Sequence, residues 1–217
     1  MRADLVQSRQ SFKRRLIMKA AHKLIVITGA TGTGKTTVSG YLRDNYRIHR
    51  VMTHTTRPAR TGEKNGVDYY FETPASFATK HFIEKVTYAG YEYGSSHESL
   101  EKNWTKHPFL SIVLDTKGAI TYVRELPKEV VVLFLTIDNP TVLKDRLLSR
   151  GDDPAMVAAR LKSPEYKRDL TLPDELKPFA TVIKNDSWDE AREQVDQFMK
   201  TLALKSCGLA RIDLEQK

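Results

Sequence analysis

Between Lys23 and Asp44 the chain runs through a short aliphatic stretch, three closely spaced glycines and a helical segment, and this order restricts the fold more than any other feature. Lys-Leu-Ile-Val-Ile-Thr at 23–28 is apolar and β-branched almost throughout, the pattern of a strand buried on both faces of a parallel sheet. Gly29-Ala-Thr-Gly32-Thr-Gly34-Lys35-Thr36 follows and fits the template G-x-x-x-x-G-K-[ST], after a buried strand and opening a helix, as that template requires. Val38, Tyr41 and Leu42 then recur at helical spacing. Glycines at 29, 32 and 34 let the backbone approach phosphate and turn successive N–H groups into one concavity, to which the helix N-terminus adds partial positive charge. Lys35 is expected to reach the β- and γ-phosphates of a nucleoside triphosphate, and the Thr36 hydroxyl to bind the Mg²⁺ that accompanies it. The loop candidates are Gly29, Ala30, Thr31, Gly32, Thr33, Gly34, Lys35, Thr36 and Thr37. The loop by itself does not say what is done with the triphosphate.

Two more buried strands are legible. Phe109–Leu114 ends at Asp115 and Val130–Ile137 ends at Asp138, with helical stretches after each at Gly118–Glu125 and Pro140–Ser149. Alternating strands and helices predict an α/β fold: a P-loop NTPase-type parallel sheet flanked by helices, with ligands at the carboxyl ends of the strands, where Asp115 lies. Residues 51–99 break the alternation. They are rich in turns and tyrosines (Tyr69, Tyr70, Tyr88, Tyr91, Tyr93) and read as an inserted lobe of short antiparallel strands. Residues 150–173, charged and punctuated by Gly151, Pro154, Pro164 and Pro173, read as a mobile helical lid, and a last helix is expected over Trp188–Leu204. The core is then 23–50, 100–149 and 174–202, with 1–22 an N-terminal extension and 203–217 a C-terminal tail.

Composition narrows the setting. With 40% hydrophobic and 29% charged residues in 217, the chain is neither disordered throughout nor a membrane protein, and its longest aliphatic run, Val130–Leu135, is far short of the roughly 20 apolar residues of a spanning helix. The net charge of +8 is concentrated: residues 1–23 hold seven cations and one anion, and the other 194 residues carry only +2. The basic character belongs to the extension, which is expected to be a solvated, mobile tail; it lacks the aromatic interleaving of a nucleic-acid-binding arm. Cys207 stands alone, which excludes an intrachain disulfide and points to a reducing, cytoplasmic setting. Leu16-Ile17-Met18 is too short for a signal-peptide core.

A second motif carries a second chemistry. Thr53-His54-Thr55-Thr56-Arg57-Pro58-Ala59-Arg60 places two arginines three residues apart beside hydroxyl groups, followed by Gly62-Glu63, Gly66 and Asp68-Tyr69. Phe82-Ile83-Glu84 and Gly90-Tyr91-Glu92-Tyr93-Gly94-Ser95 come next, then Asp115-Thr116-Lys117-Gly118-Ala119, Arg150-Gly151, Arg160-Leu161 and Asn185-Asp186. Over nearly all of 23–202 this resembles the guanylate kinase family. In the pattern S-x-T-T-R-x-P-R-x-G-E-x-x-G-x-D-Y, Arg57, Arg60, Gly62, Glu63, Gly66, Asp68 and Tyr69 fall in register and the proline is displaced to position 58.

The residue types suit a nucleoside monophosphate. Guanidinium groups of Arg57 and Arg60 can grip phosphate oxygens, with the hydroxyls of Tyr69 and Tyr93 completing the clamp. A carboxylate at Glu84 can accept from N1–H and the exocyclic amine of guanine, an edge adenine does not present, while Thr53 and Ser95 can bond nearby. The resemblance implies ATP and GMP, with dGMP, as substrates in purine nucleotide metabolism, Mg²⁺ as cofactor, and 51–99 as a GMP-binding lobe. It also implies catalytic roles for Lys35, Arg57, Arg150 and Arg160, with Arg146 a weaker lid candidate, and places Asn185 near the adenine ring. Asp115 is expected on the GMP side or holding Mg²⁺ through water.

Three departures stand out. The family's D-x-D at the end of the central strand is Val113-Leu114-Asp115, Lys117 stands where glutamine is common, and the stretch between Phe77 and Phe82 is short, which trims the helix supporting Glu84. A P-loop kinase of another phosphorylated small molecule, such as a sugar phosphate, and a catalytically silent interaction module using the same cleft remain the alternatives. Glu84 argues against the first, the intact Gly34-Lys35-Thr36 against the second.

Overall fold

The computed structural model of the chain describes residues 22–206 other than Thr61, Ala89, Pro140, Arg150 and Asp152. The basic extension up to residue 21, the tail from residue 207 and the lid arginine Arg150 therefore lie outside the described residues. Strand β1 (Lys23–Thr28) leads through the glycine-rich loop into helix α1 (Lys35–Tyr46), after which β2 is only His49–Arg50. Together with β7 (Phe109–Val113), β8 (Val130–Thr136) and β9 (Ala180–Lys184) these strands form a sheet in the order β2-β7-β1-β8-β9, parallel at every pairing. This is the α/β architecture that the strand and helix alternation predicts.

Alternation of side chains across the pleat explains why β1 must be apolar at nearly every position. Leu24 and Val26 enter one core with Leu110, Ile112, Val130 and Val132, beneath α4 (Thr116–Glu125) and the 3-10 turn at Asp174–Phe179. Ile25 and Ile27 enter the other with Leu133, Leu135 and Ile183, beneath Val38 and Leu42 of α1 and Ala191, Val195 and Phe198 of α8 (Trp188–Ser206). Both sets are fully buried, each aliphatic side chain contributing about 1.5–3 kcal/mol, so the sheet is a rigid floor on which the loops at its carboxyl edge are held.

The inserted lobe is a four-stranded sheet in the order β4-β3-β6-β5, from β3 (His54–Thr55), β4 (Tyr70–Phe71), β5 (Phe82–Tyr88) and β6 (Tyr91–Ser96). It differs from the all-antiparallel reading in one pairing: β3 and β4 run parallel. The arginine-bearing segment 56–69 lies between them and is long enough to bring the chain round in the same direction, whereas an antiparallel partner would need only a tight turn. Helix α2 (Pro74–Ala78) is five residues long, capped by Thr73, and buries Phe77 against Phe82. Helix α3 (His97–Trp104) returns the chain to β7.

After α5 (Thr141–Ser149) come two short helices, α6 (Pro154–Lys162) and α7 (Pro164–Asp169), in the segment expected to be a lid. Each begins with proline after a capping side chain, Asp153 accepting from Met156 N–H at 2.9 Å and Ser163 from Tyr166 N–H at 3.2 Å. Tyr166 of α7 joins Ala30, Ile137 and Leu143 in a small third core, which brings α7 against the glycine-rich loop.

Candidate active site

The loop after β1 is shaped by what its glycines avoid. Gly29 has φ 129°, and a Cβ there would lie 2.2 Å from the Leu135 carbonyl oxygen; Gly34 has φ 94°, and its Cβ would lie 2.2 Å from Asn185 Nδ2. Asn185 is buried and donates to the Thr33 carbonyl at 2.8 Å, bracing the loop from β9's end. The Thr33 hydroxyl turns inward to the Ala30 carbonyl at 2.8 Å, so Ala30 and Thr33 are packing elements, whereas Thr31, Gly32, Gly34, Lys35, Thr36 and Thr37 line a cavity of about 830 Å³. Lys35 Nζ donates to the Gly29 and Ala30 carbonyls at 2.6 and 2.8 Å, which holds the ammonium at the mouth of the loop. Asn185, Trp188 and Arg146 close the far wall, Arg146 donating to the Asn185 and Asp186 carbonyls at 2.9 and 3.1 Å.

A second cavity, of about 240 Å³, opens toward the inserted lobe and is lined by Thr53, Arg57, Arg60, Tyr69, Glu84, Tyr93 and Asp115. Arg57 is anchored by the Glu63 carboxylate at 2.9 and 3.0 Å and by the Pro58 carbonyl at 2.6 Å. Burial works against its charge, but the Glu63 and Tyr93 hydrogen bonds outweigh that and its pKa is raised. Its guanidinium carbon stands 5.6 Å from the Tyr69 ring, and the Tyr69 and Tyr93 rings meet edge-on at 6.3 Å.

At the floor of this cavity, a register shift between Phe82 and Glu84 sets Glu84 opposite Ser95. The Ser95 hydroxyl donates to Glu84 Oε1 at 3.0 Å, and the Tyr122 hydroxyl, from α4, donates to Ser95 Oγ at 2.8 Å. Ser95 is thus placed behind Glu84 and is fully buried. Burial pushes the Glu84 carboxyl up to about 7, the Ser95 hydrogen bond opposing the shift and the Asp115 charge adding to it. Gly118 makes room for both acids: a Cβ there would meet Glu84 Oε2 and Asp115 Oδ1, each at 3.2 Å. Asp115 follows β7 and caps α4 through the Gly118 N–H at 2.7 Å, while its other oxygen accepts from Arg168 Nη2, also at 2.7 Å.

The two cavities share a wall. Thr31, Lys35, Arg60, Tyr69, Val113 and Arg160 line both, so three of the cations picked out in the sequence stand where the loop cavity and the lobe cavity meet. Arg150 alone among the candidates lies outside the described residues.

Among the described residues no group of three or more His, Cys, Asp or Glu side chains could cage a metal ion. Thr36 fits a nucleotide-borne Mg²⁺, since its exposed hydroxyl opens the first turn of α1 inside the larger cavity and such ions take most of their ligands from phosphate and water. Asp115 fits less well, both its oxygens being engaged by Gly118 and Arg168.

Three residues of the site are not evident from sequence reasoning. Arg168 and Asp169 close on Asp115 and Thr116, Arg168 Nε reaching Thr116 Oγ1 at 3.0 Å and Asp169 Oδ1 at 2.9 Å. The available signal is an adjacent cation and anion ending a proline-bounded helix. Tyr122 sits on the apolar face of α4, and only its hydroxyl distinguishes it from a core aromatic.

The family model described as Guanylate kinase matches residues 21–202. A guanylate kinase of Thermus thermophilus is 34% identical over 175 residues, covering 78% of this chain and 76% of that protein. The guanylate kinase of Anaplasma phagocytophilum is 29% identical over 198 residues, covering 88% and 92%. The crystal structure of guanylate kinase from Anaplasma phagocytophilum is similar to this fold with a TM-score of 0.63 at 25% identity, covering 87% of this chain and 89% of that one.

Proposed function

The chain belongs to the guanylate kinase family, and from that premise we propose that it transfers the γ-phosphoryl group of ATP to GMP, giving ADP and GDP. The observation that carries the reading is the shared wall of the two cavities: a triphosphate seated on the glycine-rich loop and a monophosphate held from the lobe would bring their reacting ends together beside Lys35, Arg60 and Arg160.

Phosphoryl transfer asks mainly for alignment, exclusion of water and charge neutralisation. The loop N–H groups and Lys35 hold the β- and γ-phosphates, and Asn185 fixes the loop that presents them. Arg57, Arg60, Tyr69 and Tyr93 hold the GMP phosphate in line. Thr53, Glu84 and Asp115 read the guanine edge, with Ser95 orienting Glu84. Arg160 and Arg150, from the lid, place positive charge on the migrating group. Thr36 would hold an Mg²⁺ that travels with ATP, and that ion would supply further positive charge to the triphosphate. Recognition through base and phosphate extends to dGMP. A lone cysteine and nucleotide substrates suit a reducing cytoplasm.

The test is release of ADP from ATP and Mg²⁺ with GMP, dGMP, AMP, UMP and ribose phosphates offered in parallel. Turnover confined to GMP and dGMP is expected, and Lys35→Ala should abolish most of it while keeping GMP affinity. Turnover with a sugar phosphate alone, or equal turnover in the lysine variant, would overturn the assignment.

A further inference from the structure

We propose that Arg50, at the end of β2, is a phosphate-binding residue that grips the monophosphate of the acceptor nucleotide from the sheet side, opposite the lobe arginines. The proposal rests on the reading of the smaller cavity as an acceptor site. It starts from register. Arg50 pairs in parallel with Ser111 of β7, two residues before Val113, so alternation sets Arg50, Ser111 and Val113 on one face of the sheet. Strand β2 ends at Arg50, which lines the larger cavity and not the smaller one, at the wall that the two share through Lys35, Arg60, Tyr69 and Val113.

Three observations separate Arg50 from a structural arginine. Its Nε is buried without a hydrogen-bond partner, and Ser111 Oγ beside it is also buried and unpartnered. Among the described residues Arg50 forms no ion pair with a carboxylate, in contrast to Arg57, which Glu63 neutralises at 2.9 Å. The neighbouring strand offers none either, because the position two residues on from its partner is Val113 rather than an acid. A guanidinium half-withdrawn from water needs anionic or carbonyl oxygens, and a phosphate supplies them in the geometry that the planar fork matches. The third observation is position. The Arg50 guanidinium carbon stands 5.8 Å from the centroid of the Tyr69 ring that Arg57 approaches at 5.6 Å, so both cations converge on one member of the expected phosphate clamp.

Binding of GMP and of guanosine to the full chain, measured by calorimetry for the wild type, Arg50→Met and Arg50→Lys, tests this. A charge-assisted contact to phosphate predicts that Arg50→Met weakens GMP roughly tenfold or more and leaves guanosine unchanged, with Arg50→Lys recovering part of the loss. Equal weakening of both ligands would show that Arg50 only shapes the cavity and would overturn the proposal, as would no weakening of either, or a loss on GMP that disappears in a Tyr69→Phe background, where Arg50 would be acting only through the Tyr69 hydroxyl. Arg50→Lys keeps the charge and the aliphatic stem, so a thermal melt matching the wild type keeps the comparison valid if Arg50→Met is unstable; GMP and guanosine affinities equal to the wild type's would then stand against bidentate gripping. A wild type that binds neither ligand would instead sink the acceptor-site reading itself.

Discussion

Arg168 of α7 donates through Nη2 to Asp115 Oδ2 at 2.7 Å, so the second lid helix is tied directly to the carboxyl end of β7. The same guanidinium reaches Asp169 and Thr116 through Nε, and Thr116 N–H points at Asp169 Oδ1 at 3.3 Å. Helix α7 and the strand end are thereby one hydrogen-bonded unit on the wall of the smaller cavity. Asp115, the remaining acid of the strand end, is oriented from two sides.

Breaking that unit should be costly. The Asp115 and Asp169 side chains are only 15% and 10% exposed, and Arg168→Met would leave two partly buried carboxylates without their cation. Removal of one partner from such a group costs about 2–4 kcal/mol. Urea denaturation should show a loss of that size, with GMP KM raised because Asp115 is no longer held. A loss below about 0.5 kcal/mol would mean that the lid is not anchored there.

If Glu84 reads guanine as proposed, acceptor binding is expected to depend on pH. Its carboxyl, pushed up to about 7 chiefly by burial, must be ionised to accept from both guanine donors. kcat/KM for GMP should therefore rise with pH to a plateau above about 7, falling about tenfold per unit below it. Glu84→Gln should flatten this limb and erase the preference for GMP over AMP. Stability carries the opposite sign. The folded state holds the proton up to about 7 and the unfolded chain releases it near 4.5, so stability falls as pH rises between these values. Denaturation midpoints of wild type and Glu84→Gln across that range check the slope.

Tyr122 sets which way the Ser95 proton points. By donating to Ser95 Oγ at 2.8 Å it commits the serine hydrogen to Glu84 Oε1, leaving Oε2, on the Gly118 side, without that donor. Tyr122→Phe removes one oxygen from a fully buried position, for about 1 kcal/mol of stability. Its signature should be kinetic: GMP KM raised several-fold with kcat nearly kept, and the pH limb of Glu84 moved upward as the serine donor weakens. An unchanged KM and pH profile would reduce Tyr122 to packing.

The phosphate loop and the sheet were readable because their causes are local. Glycines at 29 and 34 are required by positive φ and by neighbours at 2.2 Å, and an apolar run such as 23–28 has few places to go except a doubly covered strand. Arg57, Glu84 and Tyr93 were readable through a linear motif. The parallel pairing of β3 with β4, and the contacts of Arg168 and Tyr122, were not, because each depends on segments far apart in the chain: Arg168 meets Asp115 across 53 residues and Tyr122 meets Ser95 across 27. Long-range partners leave no periodicity and no spacing to read.

The brace from Asn185 to the Thr33 carbonyl, packed against Gly34, gives the last prediction. Any side chain at 34 would strain a left-handed backbone at φ 94° and collide with Asn185 Nδ2, displacing the amide that holds the Thr33 carbonyl at 2.8 Å. Gly34→Ala should therefore act twice, through strain of about 1–2 kcal/mol and through loss of the brace. Asn185→Ala removes the brace alone, and should raise KM for ATP several-fold while leaving KM for GMP within twofold. Gly34→Ala should raise the ATP value by more than tenfold beyond that, in a protein that still melts cooperatively. If the two variants match, the collision rather than the backbone conformation governs the loop; if Asn185→Ala moves GMP as much as ATP, the asparagine serves the whole cleft and not the phosphate loop.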